Sequence, residues 1–526
     1  MKNKSLKTQT VLRLLVVLAI LILVNIISVR LFGRLDMTKN GVFTLSDASK
    51  QLMRSLDDRV TVKAYFTEDL PAPYNNNRRV LLDELNEYKA YARGNLQYEF
   101  IDPTGEKGEQ EAQQQGVAPV QVQVMKDDKF EVKRGYMGVV LQFEDRKEVL
   151  PVLQNTSNLE YELSSTIKKL TSKTQRRLGL LTGQGEPGLN EMSRVQEMLR
   201  RQADLVTVDL SKNTPVPQNI AALIIAGPTA AVPEPVKFQI DQYIMHGGKV
   251  AFLLNKIDAS LQSRMGRPVD LNLDDMLQRY GVKVNSDVVR DVQCASVSIM
   301  QQQFGMSIQS QVPYPYIPIV SKFSEGNMMV KDLQGIVLFF ASSLDTLGVS
   351  ASGLRAEILM RSSKQSGRQT GMLIIDPLQH FAREDFQENG IPLAVVVSGS
   401  FKSCYAGKPI PSDTASGSAL VTTSPLSASP ETRIIVVGDG DFMRDQYTNR
   451  DNLTFFANAL DYLADDAGLI TIRSKEASAP PLEPVSDDGK KAIKLANLII
   501  PPILVIGYGM LRWRIRKARR KLLETQ

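Results

Sequence analysis

The sequence predicts an α/β fold in two modules, bracketed by apolar segments, and three observations predict it. Short runs rich in Val, Ile and Leu alternate with helical patterns through most of the 526 residues. In the larger, later module those runs are continuous, as in a parallel sheet covered on both faces. Near each end stands an uncharged stretch long enough to cross a bilayer. With 43% apolar and 23% charged residues, the composition is globular.

Residues 11–32 are uncharged from Leu14 to Val29, and Arg13 and Arg30 can reach toward the interfaces. A cleaved signal peptide needs a small-x-small site, whereas the run ends in Ile27-Ser28-Val29-Arg30. Residues 492–511 repeat the pattern, broken by Pro501-Pro502 and followed by the basic cluster 512–526. That cluster favours a span over a buried core helix. The expectation is one transmembrane helix at each end. Eleven basic residues lie on the outer flanks of the two segments and six on the inner ones, which places both termini in the cytoplasm. The protein is thereby expected in the bacterial cytoplasmic (inner) membrane, two-pass, with a large periplasmic domain. Asn25 and Asn497 are polar groups within these segments, and such residues mark contact with a membrane partner.

The formal charge of +6 does not indicate nucleic acid. Removing the thirteen basic residues of the terminal segments from 63 leaves 50 between them, and removing Glu524 from 57 acids leaves 56. That body is mildly acidic and repels a phosphate backbone.

Residues 44–57 read as a helix capped by Thr44 or Ser46. A strand (60–67), an amphipathic helix (79–92), a strand (96–103) and a polar helix (106–115) follow. Strands at 117–125 and 135–150 complete a βαβαββ order, so residues 44–155 are expected to form a thioredoxin-like domain. It has no Cys-x-x-Cys, since Cys294 and Cys404 are the only cysteines, and redox chemistry is excluded. Residues 156–475 are expected to form a larger Rossmann-like domain. Its strands are 177–183, 205–210, 222–228, 249–255 and 433–442, with helices at 157–171, 192–202, 236–245, 274–280 and 452–464. Between 287 and 430 the pattern yields only short strand candidates and a Ser/Thr/Pro-rich loop. Residues 476–491 read as a Pro-rich linker.

Two strand-end motifs are candidate ligand-binding sites. Gly183-Gln184-Gly185-Glu186-Pro187-Gly188 matches G-x-G-x-x-G after a strand, with Asp209 ending the next. Glu186 puts a carboxylate where pyrophosphate would sit, and Pro187 removes an amide, so no cofactor is assigned. The place is still where such sheets bind ligands. In Gly438-Asp439-Gly440-Asp441, two close carboxylates could hold a cation, but a glycine-acid turn is the commoner use, and no metal is assigned. His246 reads as a helix C-terminal residue and His380 as a surface residue. Neither Gly-x-Ser-x-Gly nor a Walker motif occurs. Cys294 and Cys404 could pair only across more than a hundred residues.

The chain resembles the GldG family, the auxiliary component of ABC transporters associated with gliding motility. The resemblance rests on the leading segment before Phe43-Thr44-Leu45-Ser46, on the first module, and on Leu181 to Glu186. It also rests on Ala226-Gly227-Pro228, on Tyr243-Ile244 before Gly247-Gly248-Lys249, on Gly438 to Phe442, on Asn458 to Leu463, and on the closing segment. The family usually shows His where Gln184 stands and Ser where Gly440 stands. The resemblance implies a non-enzymatic subunit that works with a separate ABC permease and cytoplasmic ATPase and binds a solute, polymer or protein. Two alternatives remain at this point. One is a membrane-tethered envelope enzyme using Glu186, Asp439 and Asp441; the other is a structural tether. The sequence also allows a homodimer.

Overall fold

The structure is a computed structural model. It describes residues 44–464 apart from short internal stretches, of which 412–424 is the longest, together with Val17 and scattered positions between 468 and 514. The chain divides into two units, residues 1–477 and 478–526.

The first module opens with helix α1 (Asp47–Arg54). Ser46 caps it by accepting the N–H of Ser49 at 3.1 Å. Strand β1 (Val60–Phe66), helix α2 (Asn77–Tyr91), strand β2 (Leu96–Ile101) and helix α3 (Glu106–Gln114) follow. Strands β3 (Pro119–Lys126), β4 (Lys129–Phe143) and β5 (Arg146–Leu150) and helix α4 (Leu159–Thr171) complete the module. β1 runs parallel to β2 and antiparallel to β4; β3 and β5 each pair with β4 as hairpins. The two-residue period of β1 sends Val60, Val62, Ala64 and Phe66 to a core shared with Met53, Leu81, Leu85, Leu163 and Ile167. α1, α2 and α4 therefore cover that face. Tyr65 points the other way, against Ala112 of α3.

The second module is built on an eight-stranded sheet. In chain order it contains β6 (Arg177–Thr182), α5 (Ser193–Leu199), β7 (Asp204–Asp209), β8 (Ile220–Ala226), α6 (Glu234–Met245) and β9 (Val250–Leu253). Then come α7 (Asp274–Arg279), β10 (Lys322–Phe323), β11 (Arg355–Arg361), β12 (Pro392–Lys402), β13 (Ala428–Val437) and α8 (Arg450–Leu463). The spatial order is β10-β11-β12-β13-β9-β8-β6-β7. The five strands from β13 to β7 are parallel, and β12, β11 and β10 extend the sheet antiparallel. Both faces are covered. Phe238, Ile244, Leu277 and Tyr280 pack on one, and Val195, Phe455, Phe456 and Leu460 on the other. The strands consequently read as unbroken apolar runs. Small sheets between residues 257 and 374 include much of the region that the sequence pattern leaves unread. They pair Asp287–Asp291 with Ser366–Thr370, and Cys294–Gln303 with Met306–Val320.

The expectation of a transmembrane helix at each end is corrected. Among the described residues, no helix is long and apolar enough to cross a membrane. The longest, α2, has 15 residues. At 1.5 Å per residue that reaches about 22 Å, against a hydrocarbon core of about 30 Å. It also carries Arg78, Arg79, Asp83, Glu84, Glu87 and Lys89. Residues 11–32 lie outside the described residues except for Val17, and so do 476–491 and 515–526. In the second unit the described positions of 492–511 are short helical pieces, such as Lys494, Leu495 and Ile506 to Met510, all exposed. The fold is mixed α/β, and the two-pass inner-membrane location drawn from those segments is corrected with it.

Candidate functional site

In a parallel sheet the loops leaving the carboxyl ends of the strands share one edge, and ligands bind where strand order reverses. Here β6 lies between β7 and β8, which makes that reversal. The loops after β6, β8, β9 and β13 all emerge on this edge, so the two candidate motifs belong to one rim.

The loop after β6 needs glycine twice, because Gly183 has φ +120° and Gly185 φ +81°. Within it, Glu186 Oε2 accepts the N–H of Gln184 at 2.7 Å. Burial pushes the Glu186 carboxyl above its ordinary value, and the N–H groups of Gln184, Glu186 and Gly183 partly offset that. The carboxylate thus occupies the amides that a phosphate would use. Gln184 is only 5% exposed. Its carbonyl accepts the N–H groups of Thr229 and Ala230, both at 3.0 Å, tying this loop to the one after β8. Among the described residues, the side-chain Oε1 atoms of Gln184 and Glu186 are buried without a hydrogen-bond partner. Such acceptors are costly unless something donates to them. Asp209 ends β7 beside Gly183, with Oδ1 3.9 Å from where a Cβ would stand on that glycine, and accepts the N–H of Ser211 at 2.8 Å.

The loop after β13 is packed backbone against backbone. A Cβ on Gly440 would lie 2.5 Å from Gly227 Cα and N and 2.7 Å from Leu253 O. Gly438 N–H donates to Leu393 O at 3.0 Å, and Gly438 O accepts the N–H of Ser342 at 2.7 Å. Asp439 is fully buried. Its Oδ2 accepts the N–H of Phe339 and its Oδ1 that of Asp441, both at 2.7 Å. Burial, and then the Asp441 charge, push its carboxyl up to about 8. Asp441 is also raised by burial, opposed by Arg444 and Asn255.

Asn255, just after β9, carries no sequence signal beyond ending an apolar strand, yet it joins the rim. Its Oδ1 accepts the N–H of Gly440 at 2.7 Å and its Nδ2 donates to Asp441 Oδ2 at 2.6 Å. Asp445 is likewise unanticipated. It accepts the N–H groups of Ser193 (2.9 Å) and Arg194 (3.0 Å) at the start of α5, and the Ser193 hydroxyl. Asn452, at the start of α8, donates to Val337 O at 2.9 Å and accepts that residue's N–H at 3.0 Å. The motifs at 183–188 and 438–441 are therefore joined through Thr229, Gly227 and Asn255.

Other candidates fall elsewhere. Among the described residues, no group of three or more His, Cys, Asp or Glu side chains is placed to hold a metal ion. His246 caps α6 and its Nδ1 bonds Gln242 O at 2.7 Å; His380 is exposed. Cys294 and Cys404 are free thiols. Asn25 lies outside the described residues, and Asn497 is exposed in the second unit. A cavity of about 670 Å³ opens at the opposite edge of the sheet, lined by Ile220, Gln239, Gln242, Tyr243, His246 and Lys249.

Residues 175–465 match the family described as an ABC-type uncharacterized transport system. Residues 39–142 match a domain of unknown function, DUF7088. An uncharacterized protein of Borreliella burgdorferi is 24% identical over 538 residues, spanning 98% of this chain and all of that protein. Among solved structures, the mmIFT52 N-terminal domain is similar at 14% identity and a TM-score of 0.33, covering 55% of this chain and 96% of that one.

Proposed function

The chain belongs to the family of the ABC-type uncharacterized transport system, whose match spans the second module, and from that premise we propose a non-catalytic subunit that recognises a ligand and couples it to a separate permease and ATPase. An auxiliary role in an ABC transport system is what the family supports. The GldG-like relationship, the permease and ATPase as direct partners, and ligand recognition at the rim are our reading. The ATPase falls to a partner because the sequence carries no Walker motif.

The observation that carries ligand recognition is the pair of buried acceptors without a partner among the described residues, Gln184 Oε1 and Glu186 Oε1, on the rim where strand order reverses. They favour a solute, polymer or protein that donates hydrogen bonds there. The rival reading, an envelope enzyme using Glu186, Asp439 and Asp441, is disfavoured. Asp439 is fully buried and both of its oxygens accept backbone N–H groups, so it does not face a substrate.

Co-purification of the tagged full chain from cells that also express the neighbouring permease and ATPase tests the assignment. Both partners are expected to be retained by the native chain and by Gln184→Ala and Glu186→Gln, while transport-linked function falls in those two variants. A chain that never retains either partner refutes the coupling. Full function in both variants refutes the rim as the recognition site.

A further inference from the structure

The loop after β6 holds a carboxylate with no counter-charge. Glu186 is half-buried, and burial raises its carboxyl, while only the backbone N–H groups of Gln184, Glu186 and Gly183 lower it. Among the described residues no lysine or arginine pairs with it. The bases of the rim are committed elsewhere. Arg444 lies 3.2 Å from Asp441 and 3.8 Å from Glu191, Arg194 donates to Thr448 O at 3.3 Å, and Lys256 holds Asp274 at 2.9 Å. A carboxylate drawn out of water is ordinarily paired with a cation or protonated.

A second acceptor stands beside that charge. The Glu186 side chain folds back on residue 184, with its Oε2 2.7 Å from the Gln184 nitrogen. Glu186 Oε1 then remains without a hydrogen-bond partner among the described residues, and so does Gln184 Oε1, on a side chain only 5% exposed. The loop is uncovered above them, because Gly183 and Gly185 are exposed and carry no side chain. A Cβ on Gly183 would have Asp209 Oδ1 as its neighbour within 4 Å, at 3.9 Å, so a second carboxylate borders the opening.

We propose that the loop Gly183–Gly188 binds an organic cation, an ammonium or guanidinium group whose N–H donors go to Glu186 Oε1 and Gln184 Oε1; this rests on the rim being the recognition site and names the class of ligand it takes. Such groups carry donors and no acceptor, which suits two atoms that only accept. Hydrogen bonds between ionised partners are also the stronger kind. Other classes leave something unmet. An anion is opposed by Glu186, which already occupies the loop amides. A neutral polyol donates to Gln184 but leaves the carboxylate without a counter-charge. A metal ion needs several converging oxygen ligands, and among the described residues no three His, Cys, Asp or Glu side chains are so placed.

Isothermal titration calorimetry of the purified full chain at neutral pH tests it. Spermidine and agmatine are the cationic probes, sorbitol the neutral donor and inorganic phosphate the anion. Saturable binding of at least one cation is expected, and of neither sorbitol nor phosphate. Glu186→Gln keeps the shape and removes the charge, so it should weaken that binding about tenfold or more, as for a hydrogen bond to a charged group. Gln184→Ala should weaken it roughly two- to tenfold. Glu325→Gln, at an exposed acid on another part of the sheet, should leave it unchanged. Circular dichroism checks that each variant is folded. Absence of cation binding overturns the proposal, and so does cation binding that survives both loop variants. Sorbitol binding that is lost in both variants overturns the cation class while leaving the rim as the recognition site. Full transport-linked function in both variants removes the rim itself, and this proposal with it.

Discussion

Replacing Gly440 by alanine should destabilise the second module more than replacement of an unconstrained glycine. The added Cβ would meet Gly227 Cα and N at 2.5 Å and Leu253 O at 2.7 Å. Overpacking typically costs about 1–3 kcal/mol when side chains can adjust. These neighbours are backbone atoms, one of them at the end of β9, so the expected loss is about 3 kcal/mol. The loop cannot swing away freely, because Gly440 N–H is bonded to Asn255 Oδ1 at 2.7 Å. For a module of this size, about 3 kcal/mol lowers Tm by roughly 6–12 °C. Gly326→Ala is the control. Its φ is +80° and nothing lies within 4 Å of the added Cβ, so it loses only the roughly 1–2 kcal/mol of a left-handed backbone. Thermal unfolding read by near-UV circular dichroism, with exchange of the amides in β6 and β13 as a local report, separates the two. Equal losses in the two variants, or a smaller loss at Gly440, would refute the close approach of the loops after β8 and β13.

Further outcomes follow from titratable and buried groups. Asp439 titrates at about 8 when folded, against an ordinary 3.8, because burial and then Asp441 disfavour its charge. The folded state therefore holds the proton more tightly, and stability is lost as pH rises from 3.8 through about 8. Asp439→Asn should flatten that decline in urea unfolding between pH 5 and pH 8. It should also lose about 1–3 kcal/mol at low pH, because one backbone N–H then faces an amide NH₂. A variant that declines as steeply as the native chain contradicts this. Burial pushes Glu234 up, but Lys237, Tyr405 and Asn272 outweigh it and hold the carboxyl at about 2. That contribution is complete above about 4.5 and disappears as pH falls through about 2, so Glu234→Gln should blunt acid unfolding in this window. Burial, reinforced by Asp241, raises the Cys404 thiol, and burial also raises Cys294. Thiol titration should find two reduced cysteines, with Cys404 reacting only after denaturation; a single disulfide and no free thiol would contradict this.

The parallel strands were legible because burial on both faces leaves them as unbroken apolar runs; β6, β8 and β9 fall within about two residues of their expected limits. β13 starts at Ala428 rather than near 433. Its polar leading part is a strand only because Lys402 and its neighbours pair with it. The antiparallel extension β10-β11-β12 was illegible for a related reason: periodicity marks a strand but not its sheet. The glycines and acids at the two strand ends stood out as candidates through the G-x-G-x-x-G pattern and the glycine-acid turn, but Asn255, Asp445 and Asn452 did not. Each acts on loops far away in sequence, and nothing local marks an amide or carboxylate as their partner. The terminal segments were judged from hydropathy and flanking charge, which record what a stretch could tolerate and not the helix it forms.

The loop after β6 already supplies the negative group its amides attract. Any anion approaching Gly183 and Gln184 must compete with a tethered rival, the Glu186 side chain, whose local abundance never falls. Dilute phosphates and nucleotides are therefore expected to bind poorly there without a steric gate, and acidification, by filling the raised carboxyl with a proton, is the condition that would relax this self-occupancy.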